Sequence, residues 1–296
     1  MKLAVLGGGG VRSPFLAKSI ALGAKDTGIT EVVFMDIDKE KLFTYGVIAK
    51  RISSLLAPDL AFSLTLDADE ALKDADFIIT TIRAEGDEGR VFDERTALNL
   101  GVLGQETTGA GGFAMALRSI HTLIKYCEKI KKLSKKDAPV FNFTNPSGLV
   151  TQALRTMGYD NVYGVCDAPS GFLRQLKNMT DRENLTCECF GLNHLSWFCD
   201  FRDGDANCTD EILNHPRLYE DTEMVHFDRE LVELSDNYLP NEYLYFYHYR
   251  DKAVSSVLSG AKTRGETILE INNMMMEEMR TIDVENEFEK AFHCFM

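Results

Sequence analysis

The chain has 296 residues, 45% of them apolar and 26% charged, which is enough apolar material for one large α/β domain or two that share an interface. Forty-six acidic residues against 32 basic ones leave a net charge of −14, which excludes a broad phosphate-backbone surface but not a few arginines in one cleft. No apolar run approaches a membrane span, the N-terminus carries no signal-peptide pattern, and seven scattered cysteines read as reduced thiols, so a cytoplasmic protein without nucleic-acid or membrane partners is expected.

Short β-rich runs alternate with helical stretches through the first half. Strands are expected over 2–6, 31–36, 61–66, 77–82, 140–143 and 162–165, with helices over 14–24 and 113–136. Pro14 suits a first helical turn, and the lysines near 136 suit a helix C-terminus. Six such strands define an α/β fold, a Rossmann-type doubly wound parallel sheet. After Pro169 the texture changes: 185–201 alternates like antiparallel β structure, and from Phe227 onward the pattern is helical, with a tyrosine-rich patch between Tyr238 and Tyr249. The expected division is 1–170 for the sheet domain and 171–296 for a mixed α+β domain. Asn286 to Met296 ends on apolar residues, as a docked C-terminus or a shortened domain would.

The first strand runs into Gly7-Gly8-Gly9-Gly10-Val11-Arg12-Ser13-Pro14, which opens a helix. Glycines let a backbone approach a pyrophosphate, and the helix N-terminus supplies N–H donors. Arg12 stands where a third motif glycine is usual, and the bland reading is a tight strand-to-helix turn. Asp36 at the end of the second strand raises nucleotide binding above it, because its carboxylate suits ribose hydroxyls and favours NAD over NADP.

Cys166 and Asp167 lie just past the sixth strand, on the edge where such sheets bind ligands. His194, in Gly191 to Trp197, is a second donor type. A thiolate and an imidazole suit a borderline divalent metal with open positions, although residues so far apart read equally as a buried cysteine and a core histidine. His121, His215, His226, His248 and His293 read as surface or packing residues. Three polar clusters, Gly89–Arg95, Gly104–Gly112 and Asn142–Gly148, are expected on ligand-facing loops, with turn chemistry as the plain alternative. Pro240–Tyr247 reads as aromatic core when taken alone.

Together these segments resemble glycoside hydrolase family 4, and within it the 6-phospho-β-glucosidase branch. Eight collinear pieces carry the resemblance, from the Gly7–Pro14 loop through Asp36, Gly89–Glu94, Gly104–Gly112, Asn142–Gly148, Gly164–Pro169 and Gly191–Trp197 to Pro240–Tyr247. The resemblance implies an NAD- and Mn²⁺-dependent hydrolase outside the two-carboxylate scheme, acting on a phosphorylated disaccharide or glucoside as a homodimer or homotetramer. Carbon 3 of the sugar is oxidised, the aglycone is eliminated, water adds, and the hydride returns. Gly7, Gly8, Gly9, Gly10, Val11, Arg12 and Asp36 are then the NAD residues, and Cys166 and His194 the metal ligands. Tyr243 becomes the base at carbon 2, with Tyr245 and Tyr247 as alternatives, and Asp167 the acid for the aglycone. Glu106 and Asn145 hold sugar hydroxyls. Arg90 and Arg264 take the 6-phosphate, ahead of Arg83 and Arg12. Two other readings stand beside this one: a dehydrogenase of the malate or lactate type, and a truncated nucleotide-binding protein without catalysis.

Overall fold

The computed structural model describes residues 1–260 and 262–296. Its first unit is a sheet of β1 (Lys2–Leu6), β2 (Glu31–Met35), β3 (Ala61–Thr65), β4 (Phe77–Thr80), β5 (Val140–Asn142) and β6 (Val162–Gly164). All pairings are parallel in the order β3-β2-β1-β4-β5-β6, so the winding reverses between β1 and β4 and opens a crevice at their carboxyl ends. The near-continuous apolar runs of β1 and β2 follow from burial on both faces. Ala4, Leu6, Val33, Ile78 and Val140 face one core, and Leu3, Val5, Val32 and Phe34 face the other.

Helix α1 (Ser13–Thr27) turns Ala17, Ala21 and Ala24 to the second of these cores and ends at Gly28 in the left-handed conformation, the usual cap after a last turn. Helix α2 (Val47–Leu56) packs beside it. The next two helices depart from expectation. Residues 89–95 do not form a ligand-facing loop but lie in α3 (Gly86–Asn99), whose Asp87 and Glu88 suit the positive end of a helix. Helix α4 (Gly109–Leu133) takes in glycines that read as a turn. They belong to its first turn because the preceding segment folds against it: a Cβ on Gly112 would lie 2.4 Å from the Thr107 carbonyl carbon.

Helix α5 (Ser147–Thr156) covers β5 and β6, and α6 (Ala168–Thr180) leads into the second unit. There β7 (Leu185–Leu192) and β8 (Leu195–Asp203) form the expected antiparallel hairpin, extended by the short β9 (Ala206–Asn207) and β10 (Leu239–Pro240). Phe172, Leu176 and Met179 of α6 share its core with Phe198, Phe201 and Leu239. Helix α7 (Arg250–Ser259) packs Ala253 and Val254 on Leu103. Helices α8 (Arg264–Met279) and α9 (Phe288–Phe295) then return to the first unit, where Met276, Met279 and Phe295 bury Tyr45 and Ile48. Residues 264–296 thus dock on the sheet domain, although the sequence groups them with the second. No described helix is long and apolar enough to cross a membrane.

Candidate active site

At the crevice, the amides of Gly7 and Gly8 both donate to the Met35 carbonyl, at 2.9 and 2.8 Å. Gly7 has φ +96°, and a Cβ there would lie 2.4 Å from the Thr81 carbonyl oxygen; one on Gly8 would lie 2.6 Å from Phe34 Cβ. A Cβ on Gly10 would have no atom nearer than 3.6 Å. The first two glycines therefore thread the loop between strand ends, while the last keeps the helix entrance open. Asp36 accepts the Gly9 amide on Oδ2 at 2.8 Å and the Asp38 amide on Oδ1 at 3.0 Å, which fixes its carboxylate and leaves a lone pair on each oxygen. Among the described residues the amides of Val11 and Arg12 donate to nothing, and they stand at the positive end of α1. This donor set fits a dinucleotide pyrophosphate. The exposed Arg12 guanidinium reaches across to Asp167, Nη1 to Oδ2, at 3.2 Å.

Cys166 follows β6, and His194 is the second residue of the turn joining β7 to β8. Their Sγ and Nε2 atoms are 3.4 Å apart. Two donors at about 2.3 and 2.0 Å from one cation, at a tetrahedral angle, are separated by roughly 3.5 Å, so the pair fits a shared divalent ion. Burial holds the His194 imidazole down to about 4 against the opposing pull of Glu106 and Asp167, so it is neutral at physiological pH with a lone pair to give. Among the described residues no group of three or more His, Cys, Asp or Glu converges on a common point. A cation here would keep positions open to water and substrate.

The Tyr243 ring stacks on His194, with centroids 3.6 Å apart and planes 9° from parallel. Buried Asn241 sets this orientation: its side-chain oxygen accepts the Tyr243 amide at 3.1 Å, while its own amide donates to the Ser196 carbonyl at 2.9 Å. The alternatives lie elsewhere, Tyr245 against the second core and Tyr247 half exposed. Burial, reinforced by the negative charges of Glu242, Cys166, Glu106 and Asp167, pushes the Tyr243 hydroxyl well above the usual phenol range. Beside it, burial and then the charges of Glu223 and Asp167 raise Glu242 to about 7.

The sign for Glu242 is that of a carboxyl whose folded pKa exceeds its unfolded one, so stability is lost as pH rises from about 4.5 through 7. Glu242→Gln removes that loss. Thermal melts should show the variant gaining about 1–2 kcal/mol over wild type at pH 8 relative to pH 5, since solvent screens part of the carboxylate's charge.

Glu106 lies at the start of the turn into α4 and is held by Arg83 and by Arg90, whose Nη1 meets its Oε2 at 2.8 Å. Arg90 has two of its guanidinium nitrogens, Nε and Nη1, taken by carboxylates. It is 5% exposed and lies between Glu106 and Glu94, its Nε 2.8 Å from Glu94 Oε1. Asn145 is half-buried, with its carbonyl accepting the Ser119 hydroxyl at 2.9 Å and its side-chain amide without a partner among the described residues. Arg264 is exposed on the first turn of α8, likewise unpaired among the described residues. One bond that the sequence does not reveal joins two halves of the site: Asn193 Oδ1 accepts the Gly148 amide at 3.1 Å, tying the Asn145 loop to the hairpin that carries His194. A polar residue next to His194 is its only sequence signal.

The sheet order and the glycine loop at its switch point define a Rossmann-type α/β protein, with a Cys–His pair past the end of β6. Residues 2–182 match the model of the family 4 glycosyl hydrolases, and residues 189–294 match the C-terminal domain of the same family. The chain belongs to glycoside hydrolase family 4. It is 30% identical to the 6-phospho-beta-glucosidase BglT of Thermotoga maritima over 298 residues, covering 98% of this chain and 69% of that protein. It is 31% identical to the 6-phospho-beta-glucosidase of Escherichia coli K12 over 282 residues, which covers 90% of this chain but only 61% of the relative. The T. maritima structure with manganese, NAD⁺ and glucose-6-phosphate superposes with a TM-score of 0.84, covering 95% of this chain and 68% of its own. A 6-phospho-alpha-glucosidase from gut microorganisms, solved with NAD and glucose-6-phosphate, is 25% identical with a TM-score of 0.87 over 100% of this chain and 70% of its own.

Proposed function

We propose that the chain carries an NAD- and Mn²⁺-dependent 6-phospho-β-glucosidase activity, acting by transient oxidation at carbon 3 and elimination. The observation that carries this reading is Tyr243 stacked on His194, whose Nε2 lies 3.4 Å from Cys166 Sγ past the carboxyl end of β6. The preference for β-linked substrates is supported by the T. maritima and E. coli relatives, and the α-linked class is the neighbouring possibility.

Cys166 and His194 would hold the cation; Gly7 to Arg12 and Asp36 would hold the dinucleotide. Bound together, these groups supply reversible oxidation at carbon 3 and Lewis-acid polarisation of the sugar oxygens. Tyr243 then takes the proton from carbon 2, and positive charge beside Cys166 and His194 opposes the burial that holds its phenol high. Asp167 gives a proton to the departing aglycone oxygen, for which it must leave the Arg12 guanidinium. Glu106 and Asn145 orient the sugar hydroxyls, and Arg264 meets the 6-phosphate. Self-association as a homodimer or homotetramer belongs to the same reading and is supported by the exposed apolar side chains of Phe92, Phe113 and Leu117 on α3 and α4. Seven free thiols support a reducing, cytoplasmic setting.

The test is hydrolysis of p-nitrophenyl β-glucoside 6-phosphate, and of its α anomer, with and without NAD⁺ and Mn²⁺ under a thiol reductant. Turnover of the β anomer that needs both additives, without lasting NADH absorbance, is expected. Net NADH formation from a hydroxy acid would favour the dehydrogenase reading. NAD⁺ binding without turnover of either anomer would favour the non-catalytic one.

A further inference from the structure

A buried chain of charges runs behind the crevice and joins two places that the proposed function uses separately. It starts at Glu106, passes to Arg90, and from Arg90 Nε to Glu94 Oε1 at 2.8 Å. The other oxygen, Glu94 Oε2, accepts the backbone amide of Gly265 at 2.8 Å. Glu94 is 1% exposed, so both bonds are made out of water, where an unmet donor or carboxylate is costly. The contact also explains why residue 265 is glycine, since a Cβ there would lie 2.7 Å from Glu94 Oε2. The next residue repeats the tie: Arg95 Nε donates to Glu266 Oε1 at 2.6 Å, and Glu266 closes a capping box with Thr263 at the start of α8. Helix α3 thus bolts the first turn of α8, which carries Arg264, to the carboxylate of Glu106.

We propose that Glu94 is a positioning residue that sets the span between Glu106, at the hydroxyl end of the sugar, and Arg264, at its phosphate end, with Arg90 as the intervening link. The inference rests on the proposed function, in which those two residues face a sugar 6-phosphate. A sugar whose phosphate and hydroxyls must both be met requires the two ends at a fixed separation; Glu94 bonds both to Arg90 and to the Gly265 amide beside Arg264, while a second tie, from Arg83 through Asp87 to Asn272, reaches α8 two turns further on. A glutamine in its place has a single acceptor oxygen and turns an NH₂ group toward either Arg90 or Gly265, so one branch is released.

The experiment measures binding of glucose 6-phosphate to the NAD⁺-loaded protein by titration calorimetry for wild type, Glu94→Gln, Arg264→Ala and the double variant. Glu94→Gln is expected to weaken binding by about tenfold or more, the loss of one charge-assisted bond. NAD⁺ affinity should stay within about twofold, and the two substitutions should be non-additive because Glu94 acts through the placement of Arg264 and has less to place once that side chain is gone. Gly265→Ala, whose methyl displaces the same carboxylate, repeats the test if Glu94→Gln does not fold. Wild-type binding of glucose 6-phosphate that survives Glu94→Gln unchanged, or additive effects in the double variant, overturns the span-setting role alone. A wild-type chain that binds NAD⁺ but no glucose 6-phosphate overturns the proposed function together with it.

Discussion

Tyr243→Phe should lower kcat for a 6-phosphoglucoside by about 10²- to 10⁴-fold, the usual loss when a positioned proton acceptor is removed. The ring that stacks on His194 at 3.6 Å is retained, so the packing around Cys166 and His194 is undisturbed and only the hydroxyl is lost. Glucose 6-phosphate and NAD⁺ affinities are expected to change little. The decisive readout is incorporation of solvent deuterium at carbon 2 during partial turnover, which wild type should show and the variant should not. Tyr245→Phe and Tyr247→Phe serve as controls, because the first ring lies against the second core and the second is half exposed. Deuterium incorporation that persists in Tyr243→Phe and vanishes in either control would move the base to another tyrosine.

The second large effect is on the nucleotide loop. At Gly7 an alanine meets two penalties at once, a left-handed φ of +96° and a methyl 2.4 Å from the Thr81 carbonyl oxygen on the neighbouring strand end. Neither flexible side chains nor solvent can yield there, since the obstruction is backbone. Gly7→Ala is expected to cost about 2–4 kcal/mol and to lower the melting temperature by roughly 5–10 °C. Gly10→Ala, where the nearest atom is 3.6 Å away, should melt within about 1 °C of wild type. Calorimetry on the two variants separates a requirement of the fold from one of the ligand: equal melting temperatures would mean that the Gly7 turn can relax.

The sheet was legible because its first two strands are apolar on both faces and run into Gly7 and Asp36, a pattern that needs no distant partner to read. Helix α3 was not. Residues 86–99 contain two glycines and no apolar stripe, and the helix is held from outside, by Arg118 on Asp93, Glu266 on Arg95 and Asn272 on Asp87. Those partners lie 25 or more residues away, so local spacing carries no trace of them. The same limit applied at the site. Cys166 and His194 were recognisable as donor types, but what brings them together is the docking of the β7–β8 hairpin, fixed in part by Asn193 on Gly148. The choice among three tyrosines depended on Asn241 capping one short turn. Arg90 was singled out for a phosphate, and only the fold shows that Glu94 and Glu106 each take one of its nitrogens.

His194 occupies the second position of a two-residue turn with φ +61°, a conformation that glycine or asparagine adopts at less cost. The hairpin therefore holds an imidazole where its own folding would favour a smaller residue. Laboratory evolution for heat tolerance alone would discard this histidine early, since its replacement relieves the turn and removes a buried ring nitrogen in a single step. Ancestors or homologues with asparagine or glycine at this point would be sturdier proteins without the imidazole that the proposed cation site requires. In this hairpin durability and chemistry compete for the same codon.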